Sequence, residues 1–302
     1  MIVTVFNEEK TLDRLLKALA NQTYEPDEIV VVDGGSDDKT WQKLKVWQKK
    51  LKNLKVYYRE GNRAIGRNLA IQKAKNNLIA ITDAGCVPDK NWLEELIKTY
   101  LQTKAEVISG YYRGLAKTPL EEAIVPYVLV MPDKVDPKNF LPATRSMLIT
   151  KKAWKKVGGF NELLDSSEDY DFALRLKQAG IKMAFAPDAV VGWLPRKTLV
   201  DFAAMILDFA LWDVKAGHVR KKVKLLFLRY LIFFFFISMA IETKHTLWIV
   251  AVSLSILIYL VWSVIKNKKY VKKGWYWLPV LQIISDIMVM GGSMLGLMGR
   301  GS

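Results

Sequence analysis

Two apolar, strand-like runs in this chain end abruptly in an acid, and a third block carries four acids in seven residues. The first run, Glu28-Ile29-Val30-Val31-Val32, ends in Asp33-Gly34-Gly35. The second, Leu78-Ile79-Ala80-Ile81, ends in Thr82-Asp83-Ala84-Gly85-Cys86-Val87-Pro88. A buried strand that releases a carboxylate beside small residues lets a bulky ligand or a cation approach closely. In open α/β sheets, ligands collect outside the carboxyl ends of the strands. Asp83 by itself reads as easily as a cap for the helix starting near Asn91; the other acids turn the reading towards a ligand. The third block, Asp165-Ser166-Ser167-Glu168-Asp169-Tyr170-Asp171, opens a helix. Acids in a first helical turn suit the helix dipole, but four exceed what capping needs. Neither GxGxxG nor GxxxxGK[ST] occurs, which argues against dinucleotide and P-loop sites. A nucleotide held by carboxylates on base and ribose, with a cation or basic side chains on its phosphates, suits these residues better.

The elements that must position these acids alternate. Residues 2–6 read as a strand leading into Asn7-Glu8-Glu9, and a helix with Leu12, Leu15, Leu16 and Leu19 on one face follows. The run at 28–32 lacks alternation, as expected of a strand covered on both faces. A basic helix over 39–52, a strand at 54–58, a helix over 65–75 and the 78–81 strand continue the pattern, then a helix over 91–100 and a strand at 105–110. Such alternation predicts an α/β fold with a mostly parallel sheet and right-handed crossovers. Pro119, Pro126, Pro132, Pro137 and Pro142 then punctuate a stretch without a period, of the kind that wraps a site or moves over it. Residues 145–149 read as a strand returning to the sheet. A short helix at 151–156 is stopped by Gly158-Gly159-Phe160, and the acidic helix runs on to Gly180 before a strand at 181–186.

Composition changes near Gly217. The 302 residues are 51% hydrophobic with a formal net charge of +15. Lys and Arg thicken beside apolar spans, which favours a lipid bilayer as the basic chain's partner and argues against nucleic acid. Cys86 is the only cysteine, so an intrachain disulfide and a paired-cysteine zinc site are both excluded. Residues 198–215 form an amphipathic pattern (Phe202, Met205, Ile206, Phe209, Trp212) next to Arg220-Lys221-Lys222-Val223-Lys224, which predicts a helix at the membrane interface. Residues 225–241, 246–265 and 275–298 are each long and apolar enough to span. Arg229 in the first is expected to snorkel; the third has Trp275, Tyr276 and Trp277 as an aromatic belt and contains Gln282 and Asp286. The link at 242–245 has one lysine and that at 266–274 has five. The positive-inside rule then expects a multi-pass membrane protein with its amino-terminal part and second link in the cytosol. The strand-like start at Met1, without a signal peptide, agrees. The expected organisation is a catalytic domain at 1–196, an interface helix and basic segment at 197–224, and three transmembrane helices at 225–298.

Five motifs, in order, resemble those of family-2 glycosyltransferases with the GT-A fold, over residues 2–196. They are Val5-Phe6-Asn7-Glu8-Glu9; Val31-Val32-Asp33-Gly34-Gly35-Ser36-Asp37-Asp38-Lys39-Thr40, similar to a "DDGSxDxT" block; Gly61-Asn62-Arg63-Ala64-Ile65-Gly66-Arg67-Asn68; the segment from Thr82 to Pro88, in the place of a metal-binding DXD; and Gly158-Gly159-Phe160-Asn161-Glu162 with Glu168-Asp169-Tyr170-Asp171. The resemblance implies an inverting sugar transfer from a UDP- or GDP-sugar to a lipid-linked or cell-envelope glycan. It gives Glu8 and Asp33 to base and ribose, Arg67 to the nucleotide, and Asp83 to the ribose or to a diphosphate-bound Mg or Mn. Asp169 becomes the general base with Glu168 beside it, and Arg196 a cation near the diphosphate. One departure stands out: Gly85 replaces the second Asp of DXD, which leaves Asp83 as the motif's only metal carboxylate, with Asp89 nearby in sequence. Two other readings use the same acids. A nucleotidyltransferase would, but the Glu168-Asp169 block counts against it; a membrane-anchored nucleotide-sugar-binding or scaffold protein with a degenerate site rests on Gly85. Three spans are fewer than processive synthases of the family usually carry, which points to single transfer.

Overall fold

The structure, a computed structural model, describes residues 1–299. In chain order the elements are β1 (Ile2–Val5), α1 (Leu12–Ala20), β2 (Ile29–Asp33), α2 (Thr40–Lys50), β3 (Leu54–Tyr58), α3 (Arg63–Lys73), β4 (Leu78–Ile81), β5 (Cys86–Pro88), α4 (Trp92–Thr103), β6 (Val107–Gly114), α5 (Pro119–Val128), β7 (Met147–Thr150), α6 (Lys151–Lys156), α7 (Glu168–Gln178), β8 (Met183–Trp193), α8 (Leu199–Lys215), α9 (Lys221–Thr243), α10 (Thr246–Lys268) and α11 (Leu278–Met298). They form two compact units, one from Met1–Leu115 with Pro132–Leu194, the other from Ala116–Met131 with the chain from Pro195 onward.

The first unit is built on one mixed sheet in the order β3-β2-β1-β4-β7-β6-β8-β5. The β3-β2-β1-β4 half is parallel, so β1, β2 and β4 all end on one edge. Beyond it β7 runs antiparallel to β4 and β6, β6 and β8 are parallel, and β5 is antiparallel to β8. Six of the eight strands, all but β7 and β5, thus run the same way, so the sheet is mostly parallel as expected, with its antiparallel pairings made by those two strands. Every residue of β2 is buried, as its unbroken apolar run requires. α1 buries Leu12, Leu15, Leu16 and Leu19. α3 lies close on the sheet because position 66 has no side chain: a Cβ there would meet Thr4 Cγ2 at 2.7 Å.

Three boundaries differ from the sequence reading. β7 begins at Met147 rather than at 145, which leaves Arg145 in the preceding turn. β8 continues through a bulge to Trp193, where a loop was expected from Gly192. β5, three residues long and ending in a proline, carries too little pattern to be read in advance.

The second unit contains three helices long and apolar enough to cross a membrane: Lys221–Thr243, Thr246–Lys268 and Trp275–Met298. α5 belongs to it, although its residues fall inside the expected 1–196 domain. A capping box between Thr118 and Glu121, with Pro119 in the first turn, starts α5. The Glu122 carboxylate then accepts from the Lys272 and Lys273 N–H groups at 2.8 and 2.9 Å, and Tyr127 donates to the Leu278 carbonyl at 2.8 Å. α8, expected at a membrane surface, has much of its apolar side (Phe202, Met205, Ile206, Ala210, Val214) buried. It meets α11 where a Cβ on Gly292 or Gly296 would strike the Leu207 or Leu211 carbonyl. Arg229 pairs with Asp286 at 2.5 Å rather than snorkelling, and Tyr259 and Gln282 also donate to that carboxylate. In a bilayer such pairing avoids an isolated charge.

Candidate active site

The ends of β1 and β2 are latched to each other. Val5 and Asp33 lie opposite in the ladder. Past β1, Asn7 takes a left-handed conformation (φ 55°), and the turn around it is held by the loop after β2. The Asn7 N–H donates to Ser36 Oγ at 2.9 Å, Glu8 N–H to Thr40 Oγ1 at 2.7 Å, and Glu9 N–H to Asp38 Oδ2 at 3.1 Å. The polar residues around the two strand ends thus fix the backbone that presents Glu8 and Asp33. Thr11 donates its hydroxyl to the Glu8 carboxylate. Asp33 is fully buried; its Oδ1 accepts the Gly35 and Ser36 N–H groups at 3.0 and 2.8 Å, while Oδ2 has no partner. A buried carboxylate oxygen without a donor is costly unless a ligand supplies one.

At the end of β4 stands Asp83. Its Oδ1 accepts from Arg67 Nη2 at 2.8 Å, and its Oδ2 from the Thr144 hydroxyl at 3.3 Å. The other arm of Arg67, Nη1, donates to Glu168 Oε1 at the start of α7. Arg67 and Glu168 are each 3% exposed. This one guanidinium, from α3, therefore joins the first-half acid Asp83 to the second-half acid Glu168. Arg67, read from sequence as a nucleotide contact, is bonded to both carboxylates in the structure.

Asp169, the next residue of α7, is half-buried, and among the described residues the one hydrogen bond to its carboxylate comes from the adjacent Tyr170 N–H at 2.8 Å. Burial and then the neighbouring Glu168 carboxylate push its carboxyl above the usual range, with Arg145 and Arg67 pulling the other way. At Asp83 the balance is opposite: burial opposes ionisation, but Arg67 and Arg145 outweigh it and hold the carboxyl low. Two acids of one site thus titrate apart. The residue before α7, Ser167, has φ 58°, a left-handed conformation that a non-glycine residue adopts at a cost of about 1–3 kcal/mol.

Asp33, Asp83, Arg67, Glu168 and Asp169 belong to the first unit, as does Glu8. Arg196 is exposed and lies in the second. Sequence reasoning passed over three residues. Asn68 is buried with its amide satisfied on both sides: its oxygen accepts from Trp154 Nε1 and the Phe160 N–H, and its nitrogen donates to the Phe160 carbonyl and Glu162 Oε1. It ties α3 to the Gly158-Gly159-Phe160 loop. The quoted Arg67-Asn68 pair was the available signal. Arg145 gave none, since it read as the start of a strand, and Thr144 stood unmarked just before it.

Comparison with known proteins places these features. The model for "Glycosyl transferase family 2" matches residues 1–148, and that for "Glycosyltransferase like family 2" matches residues 132–209. The chain is a family-2 glycosyltransferase. It is 25% identical over 206 residues to glycosyltransferase AglE of Haloferax volcanii, spanning 65% of this chain and 66% of that protein. It is 24% identical over 280 residues to the dolichyl N-acetyl-alpha-D-glucosaminyl phosphate 3-beta-D-2,3-diacetamido-2,3-dideoxy-beta-D-glucuronosyltransferase of Methanococcus voltae, spanning 82% and 87%. Among solved structures, the mannosyltransferase PcManGT of Pyrobaculum calidifontis, in complex with GDP-Man and Mn2+, superposes with a TM-score of 0.60 at 17% identity over 99% of this chain and 86% of that one. S. aureus TarS 1-349 in complex with UDP-GlcNAc gives 0.53 at 19% over 99% and 91%. These likenesses establish the GT-A fold for the glycosyltransferase.

For a divalent cation the glycosyltransferase offers little. No group of three or more His, Cys, Asp or Glu that could hold a metal occurs among the described residues, and position 85 has no carboxylate. Asp83 retains lone pairs beyond its bonds to Arg67 and Thr144, since an ionised carboxylate can accept about four hydrogen bonds. A Mg ion commonly takes one or two carboxylates, with substrate phosphates and water completing its shell. Asp83 suits that minimal role.

Proposed function

We propose that this glycosyltransferase moves a single sugar, with inversion, from a UDP- or GDP-sugar to a lipid-linked or cell-envelope glycan at the cytosolic membrane face. The observation that carries the reading is the pairing of roles at the start of α7. Glu168 is held by Arg67, whereas among the described residues Asp169 accepts only its neighbour's N–H. A general base needs a carboxylate with open lone pairs within reach of the acceptor hydroxyl. Asp169 has them; Glu168 holds its position through Arg67.

In the transfer, the acceptor oxygen bonds to the anomeric carbon as its proton passes to Asp169. The bond from that carbon to the diphosphate breaks, and its electron pair leaves on the nucleoside diphosphate. The unpartnered Asp33 Oδ2 and Glu8 are assigned to the base and ribose, and Arg67 to holding Asp83 and Glu168 in place. Asp83 would hold a Mg or Mn ion, which when bound neutralises charge on the departing diphosphate. The named acceptor of the Methanococcus relative supports a lipid-linked substrate, and the GDP-Man and UDP-GlcNAc complexes support the two donor bases. We assign catalysis to the 1–196 region, the interface to 197–224, and three bilayer crossings to 225–298.

The test is a screen of UDP- and GDP-sugars with the purified chain in lipid nanodiscs, with and without Mn. Release of UDP or GDP from one donor, accelerated by a lipid-linked sugar acceptor, is expected. Silence across both donor series would remove the reading.

A further inference from the structure

Arg145 stands in the turn between Ala143 and Ser146, and that turn is fixed from several sides. Ser146 N–H donates to the Ala143 carbonyl at 3.0 Å, closing the turn. Ser146 Oγ accepts from Trp92 Nε1 at 2.8 Å and donates to the Ala189 carbonyl at 3.0 Å. Gly110 makes room for it: a Cβ there would fall 1.9 Å from Ser146 Oγ. The Thr82 hydroxyl, one residue before Asp83, donates to the Arg145 carbonyl at 2.9 Å. Thr144 in turn donates to Asp83 itself. The backbone that carries Arg145 is thus bound to the end of β4.

The side chain is aimed just as firmly. Its guanidinium lies 5.7 Å from the Tyr112 ring and 5.9 Å from the Trp193 ring. Tyr112 is on β6 and Trp193 on β8, where Trp193 pairs with Cys86 directly after Gly85. Aromatic faces hold a guanidinium by its plane and leave its N–H edge available. Among the described residues, the Arg145 side chain makes no hydrogen bond and no ion pair. Asp169 and then Asp83 are the carboxylates that act on it most strongly through space. A half-buried guanidinium with open donors, set against two rings and in the field of two acids, is arranged for an anion that arrives with the substrate.

Charge accounting points the same way. Asp83, Glu168 and Asp169 are three negative charges, and Arg67 answers them from inside the bridge, buried and bonded at both arms. A nucleoside diphosphate brings further negative charge to this edge, and Gly85 removes one of the acids that would recruit a cation. Arg63 also acts on Asp83 electrostatically, but from an exposed position.

We infer that Arg145 binds the donor's diphosphate through its open N–H edge and stabilises the nucleoside diphosphate as it leaves, independently of any metal at Asp83. This rests on the nucleotide-sugar reading given above. The electron pair of the broken bond ends on a phosphate oxygen, and a charge-assisted hydrogen bond from Arg145 strengthens as that charge develops.

The experiment measures binding of UDP and uridine, and of GDP and guanosine, to the full chain in nanodiscs by calorimetry in excess chelator. Arg145→Ala should weaken diphosphate binding about 10–100-fold and leave nucleoside binding unchanged. Arg145→Lys should recover part of the loss, and Arg63→Ala should change the ratio of diphosphate to nucleoside affinity by less than about 3-fold. If Arg145→Ala lowers the melting temperature, Arg145→Met, which keeps the stem between the rings, decides in its place. An unchanged ratio in a folded Arg145 variant overturns the inference and leaves the donor reading standing. A parent chain that binds the nucleotides only when Mn is restored overturns this inference alone; one that binds neither with or without Mn overturns the donor reading, and this inference with it.

Discussion

Arg67 is where the two halves of the first unit are electrically joined, so removing it should be felt as lost stability before it is felt as lost chemistry. In Arg67→Met the stem volume is kept and the charge is lost. Glu168, 3% exposed and already carrying one unpartnered oxygen, is left as a buried carboxylate without a cation. Asp83, 27% exposed, loses its closest donor but keeps water. Breaking a buried pair from one side costs about 3–5 kcal/mol, mostly from the stranded charge. For a unit of this size each kcal/mol lowers Tm by about 2–4 °C, so a fall of roughly 6–20 °C is expected. The pH dependence follows from Asp83, whose carboxyl the folded parent holds below its ordinary value. Such a group adds stability above its unfolded value and loses it as pH falls through the folded one. The variant lacks most of that contribution, so the gap between parent and variant should narrow in acid. Arg67→Met/Glu168→Leu, which removes the stranded charge, should regain much of the loss. The assay is thermal unfolding of the nanodisc-embedded chain by tryptophan fluorescence at pH 7.5 and again below the ordinary aspartate value, where the folded Asp83 carboxyl takes up its proton. A single variant melting within about 2 °C of the parent, or a double variant no better than the single, would refute the bridge as described.

Four further outcomes are expected. Asp169→Asn should lower transfer by about 10²–10⁴-fold while donor affinity stays within a few-fold, measured by product formation and calorimetry. Because burial and Glu168 raise the Asp169 carboxyl against the pull of Arg145 and Arg67, kcat/KM should decline on the acid side at a pH above the ordinary aspartate value, and that limb should vanish in the asparagine variant. Asp33→Asn should weaken UDP or GDP binding by about 1–3 kcal/mol, since it alters the one carboxylate oxygen left open in that buried position. Gly85→Asp should tighten Mn binding, read by Mn titration of the protein, because nothing lies within 4 Å of a Cβ at that position; unchanged Mn affinity would count against Asp83 as the ligand.

The sequence carried the parallel half of the sheet almost completely, because strands covered on both faces write themselves as unbroken apolar runs. Asp33 and Asp83 were readable for the same reason: an acid directly after such a run can only stand at the sheet's edge. What it could not carry was the pairing of charges across long separations. Arg67 and Glu168 are 101 residues apart, and nothing local tells whether an arginine in a motif faces a ligand or another side chain. Arg145 was hidden by its own neighbours, since Arg145-Ser146-Met147-Leu148-Ile149 has the apolar content of a strand. The strand starts only at Met147 because Ser146 is drawn back to Trp92 and Ala189, a constraint written at two distant places. The same limit affected α5, whose partners Lys272 and Lys273 lie 150 and 151 residues further on. A motif read residue by residue therefore places the acids at the sheet's edge and says nothing of what an arginine pairs with. An acid's place follows from the strand that ends in it, whereas an arginine's long side chain takes its role from whichever carboxylate or ring the fold brings within reach.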